Sequence, residues 1–186
     1  MTAAVAPRVK WTEHDVAAWL ARFFFKNKTI VLVPNCSWTG HECDLLGVTQ
    51  QCRVIDVEIK ISRSDLKADP SKDKWWHPRP WCRPGQPERA REPRAWPPHV
   101  WKHYYAMPAD VWNASLLSVL PEASGILTIH EYNYGQCRLQ CERRARVNRN
   151  ATRLDAEDCI DIARLASLRM WDALDAASAA RNAIPT

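Results

Sequence analysis

The chain has 186 residues, 46% hydrophobic and 25% charged, the balance of a soluble globular protein with enough length for one core. No apolar run approaches the roughly 18 residues a membrane helix needs, and the N-terminal MTAAVAPRVKW has no apolar signal-peptide segment, so a cytoplasmic protein without a membrane partner is expected. The net charge of +5 is local: residues 72–102 hold eight Lys or Arg and three acids, which is the whole excess, and a positive field of that kind suits a polyanion.

Helix signals come first. Thr12 can cap a helix, Asp15 can complete a capping-box-like pair, and Trp11 with Val16 forms a hydrophobic staple. Val16, Leu20, Phe23 and Phe24 then recur at helical spacing. TIVLVPN (29–35) is a β-branched run that ends at Pro and Asn, as a strand would. ECDLLGV (42–48) and RVIDVEIKI (53–61) are two further strands joined by the polar turn TQQC, and their pairing is expected to be antiparallel. Ser64 is positioned to cap a helix that runs towards Trp75.

Residues 78–98 carry seven of the thirteen prolines and five arginines, which argues against regular structure there. HYYAMP (103–108) reads as a strand, Ala109 to about Leu120 as a helix, GILTIHEY (125–132) as a strand, and QCRLQCE (136–142) as its partner. A last helix fits 155–180, capped by Asp155, with Ile160, Ala163, Leu168, Trp171 and Leu174 as its apolar surface. Together these elements predict a single α/β domain with one central mixed sheet flanked by helices, interrupted by a Pro/Trp/Arg-rich insertion at about 75–102. The seven cysteines are odd in number and contain no CxxC pair, so reduced thiols are expected rather than disulfides.

The informative anomaly is VIDVEIKI. In a strand, alternate side chains share a face, so Val54, Asp56, Glu58 and Lys60 point one way and Ile55, Val57, Ile59 and Ile61 the other. A half-exposed strand with a solvated polar face is one explanation. Asp44, at the start of the neighbouring strand, offers another: carboxylates gathered by a hairpin repel unless a cation joins them. Mg²⁺ takes oxygen ligands and keeps waters for substrate phosphates, and Lys60 could position a water or stabilise charge on a phosphate. Glu13 lies within about 20° of Leu20 and Phe24 on the helical wheel, although the helix dipole alone would also favour an acid there.

Asp44…Glu58-Ile59-Lys60, after a helix and a strand, resembles the PD-(D/E)XK nuclease superfamily. The wider pattern, ECDLLGV…VIDVEIKISRSDLKADPSKDKW followed by HYYAMPADVW…LPEASGILTI, resembles MmcB-like DNA repair proteins and related small phage nucleases over residues 12–130. The resemblance implies a restriction-endonuclease-like α-β-β-β-α-β core and cleavage of DNA or RNA with Mg²⁺ or Mn²⁺. It implies Asp44 and Glu58 as metal ligands, Lys60 as a catalytic group, Glu13 as the helix glutamate of some branches, and Ser62 as a phosphate contact. Asp56 stands where the family usually has an apolar residue. The insertion is longer than its counterpart in MmcB-like proteins.

In the insertion, Arg and Trp interleave, which suits phosphate contact and base stacking, and Lys74, Trp76, Arg79, Arg83 and Lys102 are the candidate substrate-binding residues. Tryptophans that pack the loop onto the domain are the competing explanation. His77, Cys82, His99 and His103 match no standard zinc spacing, and the Arg138–Arg153 cluster could extend a DNA track or form a solvated turn. The expectation is a Mg²⁺- or Mn²⁺-dependent nuclease acting on DNA, single-stranded or branched substrates included, in repair, recombination or phage DNA processing, with oligomerisation allowed. The alternatives are a non-catalytic DNA-binding or protein-inhibiting module on the same fold, and RNA as substrate.

Overall fold

A computed structural model describes residues 10–79, 90–132 and 136–182. The chain begins with α1 (Glu13–Leu20), started by a complete capping box: Asp15 N–H donates to Thr12 Oγ1 at 3.2 Å, and Thr12 N–H donates to Asp15 Oδ2 at 3.0 Å. Val16 and Leu20 are fully buried, as the spacing requires. The stripe then shifts. Ala21–Phe25 forms a π-helical turn, whose i→i+5 bonding takes up an extra residue. Phe25 therefore follows Leu20 into the core at 1% exposure, while Phe23, expected to face inward, is 67% exposed.

Six strands form one mixed sheet in sequential order: β1 (Thr29–Cys36), β2 (Cys43–Thr49), β3 (Val54–Ile59), β4 (Val100–Pro108), β5 (Gly125–Glu131) and β6 (Cys137–Arg143). β1, β2 and β3 are a meander of antiparallel pairs; β3, β4 and β5 are mutually parallel; β6 returns antiparallel along β5. The expected single-domain α/β fold with a mixed sheet flanked by helices is what the chain adopts. The β2–β3 turn closes with Thr49 N–H donating to Arg53 O at 2.9 Å and Cys52 N–H donating to Thr49 O at 2.9 Å, with Cys52 at φ 54°.

α1 and Phe25 cover one face of the sheet, over Leu45, Ile55, Val57, Ile59, Ala106, Leu127 and Ile129. On the opposite face two apolar clusters form. One joins Val33, Leu46, Val48, Val54 and Val100 to Ile162 of α3 (Ala156–Asn182). The other joins Tyr105, Met107 and Ile126 to Leu66 of α2 (Arg63–Ala68), Trp75 and Leu116.

Three expected helices differ in detail. Ser62, not Ser64, caps α2, and Pro70 ends its regular bonding, so two 3₁₀ turns (Asp69–Ser71, Asp73–Trp75) carry the chain on to Trp75. The segment after β4 is a 3₁₀ helix, Ala114–Val119, capped by Asn113, rather than an α-helix from Ala109. α3 starts with reciprocal bonds between Asp155 and Asp158, but it buries Ile162 and packs Cys159, Leu165 and Ala166 against the sheet. Ile160, Leu168, Trp171 and Leu174 are exposed. The helix carries two apolar arcs, and the one that meets β1 is buried.

No described helix is long and apolar enough to cross a membrane. The six described cysteines are free thiols. The π-turn register gives a direct test: Phe25→Ala should destabilise the fold by about 3–5 kcal/mol, and Phe23→Ala should stay within about 0.5 kcal/mol of the parent, both read from urea denaturation midpoints.

Candidate active site

The polar face of β3 is not solvated. Asp56, Glu58 and Lys60 are 0%, 1% and 2% exposed. They lie between the two apolar clusters of the second sheet face, covered by α2 and the 3₁₀ turns. Parallel pairing sets His103 beside Asp56 and Tyr105 beside Glu58, which extends the polar stripe onto β4. The apolar face behaves as the alternation predicts except at Ile61, which lies past the strand end and is 42% exposed.

Asp44, Glu58 and Lys60 come together. Lys60 Nζ lies 2.8 Å from Glu58 Oε2 and 3.9 Å from Asp44 Oδ2, and it also faces Asp69 Oδ1 at 3.4 Å and Asp65 at 3.8 Å. Asp44 Oδ2 accepts the Ile59 N–H at 2.7 Å, which fixes the carboxylate to the end of β3. Lys72 Nζ sits 3.4 Å from Glu58 Oε2 and 3.0 Å from Asp69 Oδ1, and Lys74 contacts Glu58 Oε1. Asp69 Oδ2 in turn accepts from Tyr105 Oη at 2.6 Å and Trp75 Nε1 at 3.1 Å. Three ammonium groups thus bind two buried carboxylates, with Asp44 at the open edge, its side chain 24% exposed.

The charge states follow. Burial raises the Asp44 carboxyl to about 6, and the charges of Glu58 and Glu13 push the same way against the Ile59 N–H and Lys60. Glu13, exposed in the first turn of α1, is therefore close enough to act on Asp44 electrostatically. Burial would lower Lys60, but Glu58, Asp69 and Asp44 outweigh it and raise its pKa, so it stays an ammonium. Burial would likewise raise Asp69, yet Lys74, the Tyr105 hydroxyl and Lys60 hold it well below the ordinary carboxylate range.

At this edge Asp44 offers the oxygen-donor type that a hard divalent cation takes. The available groups are carboxylate oxygens, the edge is open, and the raised Asp44 carboxyl marks a place where one more positive charge would relieve repulsion. Glu58 is available to the same ion only by exchanging an ammonium contact for it.

The candidate substrate-binding residues scatter. Ser62 Oγ is taken up by the α2 cap, accepting from Asp65 N–H at 3.2 Å, and lies 3.1 Å from Ser64 Oγ. Lys74 is 6% exposed and belongs to the ion cluster, so it is an internal counterion rather than a surface contact. Trp76 is half-buried, pairs with Pro93 and packs against the second-face core. Arg79 is exposed; Arg83 lies outside the described residues. Lys102 stacks 4.5 Å from the Trp101 ring and lines a groove of about 350 Å³ with Lys28, Phe24 and Tyr104 beside the β2–β3 turn. That is the opposite end of the hairpin from Asp44.

The described parts of the insertion fold back onto the domain. His77 N–H donates to Glu92 O at 2.8 Å, Arg94 N–H donates to Trp75 O at 2.7 Å, and Arg91 pairs with Asp73 at 2.6 Å. Trp75 is buried in the second-face core, and Trp96 Nε1–H donates to Arg146 O at 3.3 Å, which ties the end of the insertion to the segment after β6. In the second basic cluster, Arg143 donates to Ser124 O and Pro121 O, and Arg146 pairs with Glu122. The His77/Cys82/His99/His103 grouping does not assemble among the described residues: His103 is buried against Asp56 and Ser124, His99 packs on Trp38, and Cys82 is outside them.

Sequence reasoning missed Asp69, Lys72 and Tyr105 as members of the cluster, and His41 and His103 as partners of Asp56. His41 Nε2 lies 3.1 Å from Asp56 Oδ2 and His103 Nε2 lies 3.8 Å from it. The period-two spacing of His103, Tyr105 and Met107 in HYYAMP was the available signal for two of them.

No known protein family and no curated protein matches the chain. Its fold is similar to that of a solved protein of unknown function from Silicibacter pomeroyi, with a TM-score of 0.52, 18% identity and 88% of each chain covered. That likeness establishes the fold alone.

Asp69 tests the cluster. Its depressed carboxyl contributes stability above the unfolded-state pKa of about 3.9 and loses it as pH falls below that value. Asp69→Asn should therefore cost about 3–5 kcal/mol near neutrality, with the gap to the parent narrowing below about pH 4, as measured by urea denaturation across pH.

Proposed function

We propose that the protein is a metal-dependent phosphodiesterase that cleaves DNA, with Mg²⁺ or Mn²⁺ as cofactor and DNA repair, recombination or phage DNA processing as its setting. The observation that carries this reading is Lys60 Nζ placed between Glu58, at 2.8 Å, and Asp44, at 3.9 Å, at the open end of β3. Asp44 and Glu58 would hold the cation, with Glu13 contributing charge from α1. When bound, a cation of this class lowers the pKa of a water and neutralises phosphate charge.

The residues of the chain supply the rest. Lys60 is held as an ammonium by Glu58, Asp69 and Asp44, so it would act on a phosphate at the Asp44 edge as a fixed positive charge from behind the carboxylates rather than as a proton acceptor. Lys72, 47% exposed at the rim, offers a second ammonium to the same side. The Ile59 N–H orients Asp44 and prevents its rotation away from the edge. The groove of Phe24, Trp101, Tyr104, Lys28 and Lys102 combines aromatic faces with ammonium groups, a combination suited to a nucleic-acid strand passing the far end of the hairpin.

A second reading is favoured by one feature. Both Glu58 oxygens contact lysines, an arrangement stable without metal, as a non-catalytic DNA-binding or protein-inhibiting module would have.

The readings separate in one assay series, with plasmid, single-stranded and branched DNA incubated with Mn²⁺, Mg²⁺ or EDTA. Cleavage should require metal, and Asp44→Asn and Lys60→Ala should each lower it by about 10²-fold or more. Binding without cleavage, steeply salt-dependent and indifferent to metal, would establish the second reading. Competition with a matched RNA decides the polymer.

A further inference from the structure

Asp56 has no role in the reading above, yet it anchors the most unusual polar grouping in the fold. It is fully buried at the centre of β3. His41 Nε2 approaches its Oδ2 at 3.1 Å, Cys43 Sγ lies 3.6 Å from the same His41 nitrogen, and one donor atom from each of the three residues lies within 4.8 Å of the others. His103 Nε2, also fully buried, faces Asp56 Oδ2 at 3.8 Å.

Two atoms there lack what burial demands. Neither Asp56 Oδ1 nor His103 Nε2 has a hydrogen-bond partner. A buried polar atom without a partner is costly, and 3.8 Å is too long for a hydrogen bond between His103 and Asp56. The other nitrogen of His103 is occupied at 2.9 Å by Ser124 Oγ; with that hydroxyl accepting from Nδ1–H, Nε2 keeps a free lone pair for a metal.

We infer that His41, Cys43, Asp56 and His103 form a second metal site, distinct from the Asp44 edge, that takes a borderline-soft divalent cation of the zinc class. The donors are two imidazole nitrogens, a sulfur and one carboxylate, a set that suits zinc and does not suit magnesium. Tetrahedral zinc with nitrogen, oxygen and a single sulfur ligand places its donor atoms about 3.3–3.6 Å apart; His41 Nε2 lies 3.1 Å from Asp56 Oδ2 and 3.6 Å from Cys43 Sγ, close to that spacing, and His103 Nε2, 3.8 Å from Asp56 Oδ2, would have to move inward to become the fourth donor. A thiolate and a carboxylate would balance the ion's charge in a dry interior.

Thr39 Oγ1, 3.3 Å from Cys43 Sγ and bonded to the His41 carbonyl at 3.0 Å, supports the ligands from outside. His41, Cys43 and Asp56 are already gathered, and with His103 as the fourth donor no position would stay open, which makes the proposed site structural. It ties the β1–β2 connection to β3 and β4. The His41 side chain, 11% exposed, is the way in.

The test is metal analysis of the full chain, purified without chelator and without a metal-affinity tag. One zinc per chain is expected. After stripping, Co²⁺ should give a cysteinate-to-metal charge-transfer band that Zn²⁺ abolishes. The stripped chain should melt about 5 °C or more below the zinc-loaded one.

Cys43→Ser should remove the sulfur band. His41→Ala, at the partly exposed rim and checked for folding by circular dichroism, should weaken Co²⁺ affinity about 10-fold or more. Asp44→Asn should leave zinc binding intact, which separates this site from the proposed cleavage site. Substoichiometric metal after loading, a cobalt band that survives Cys43→Ser, or a melting temperature indifferent to zinc would each overturn the inference.

Discussion

The structure depends on compensating three charged side chains that β3 and the residue after it send into the interior. Asp56, Glu58 and Lys60 lie on the second face of a central strand, where water does not reach them. Burying a charge is tolerated only with partners in place. The segment after β3 supplies them: α2 and its 3₁₀ turns bring Asp69, Lys72 and Lys74 back over the sheet, and β4 brings His103 and Tyr105 alongside. The described chain from Lys60 to Trp75, together with β4, is in effect the route by which those partners arrive.

That requirement also divides the core. One sheet face is continuous and apolar beneath α1 and Phe25. The other is split into a cluster under α3 and a cluster under α2, with the polar stripe between them. The stripe has two chemically different ends. Towards the end of β3 it offers oxygen ligands and ammonium groups at an accessible edge. Towards the middle it gathers imidazole, thiol and a fully buried carboxylate.

Much of this was legible in advance. The capping box at Thr12, the β2–β3 hairpin and the shared face of Asp56, Glu58 and Lys60 follow from local patterns of two to four residues, and the mixed sheet follows from the order of the elements. Asp44 beside Glu58 also followed, because a short hairpin turn restricts how two strands can align. What was not legible involves partners distant in sequence. Tyr105 reaches Asp69 from 36 positions away, and His41 reaches Asp56 from 15. Lys74 resembled a surface cation because its basic neighbourhood was read along the chain. The side chain turns inward because Glu58 is buried there. Phe23 and Phe25 exchanged places because a π-turn changes the phase of a helix, and no spacing rule anticipates it.

The sequence by itself determined the strands, their order, the capped start of α1 and the two-sided character of β3, since period and capping are properties of neighbouring residues. Only the tertiary structure decided what the polar side of β3 is for. Alternation says that Asp56, Glu58 and Lys60 point together; it is silent on what they point at. A layer of helix and 3₁₀ turns, and a parallel strand contributed after a long insertion, turn that face from a wetted surface into a dry, charge-balanced interior. Buried charges take their meaning from partners that only folding brings within reach.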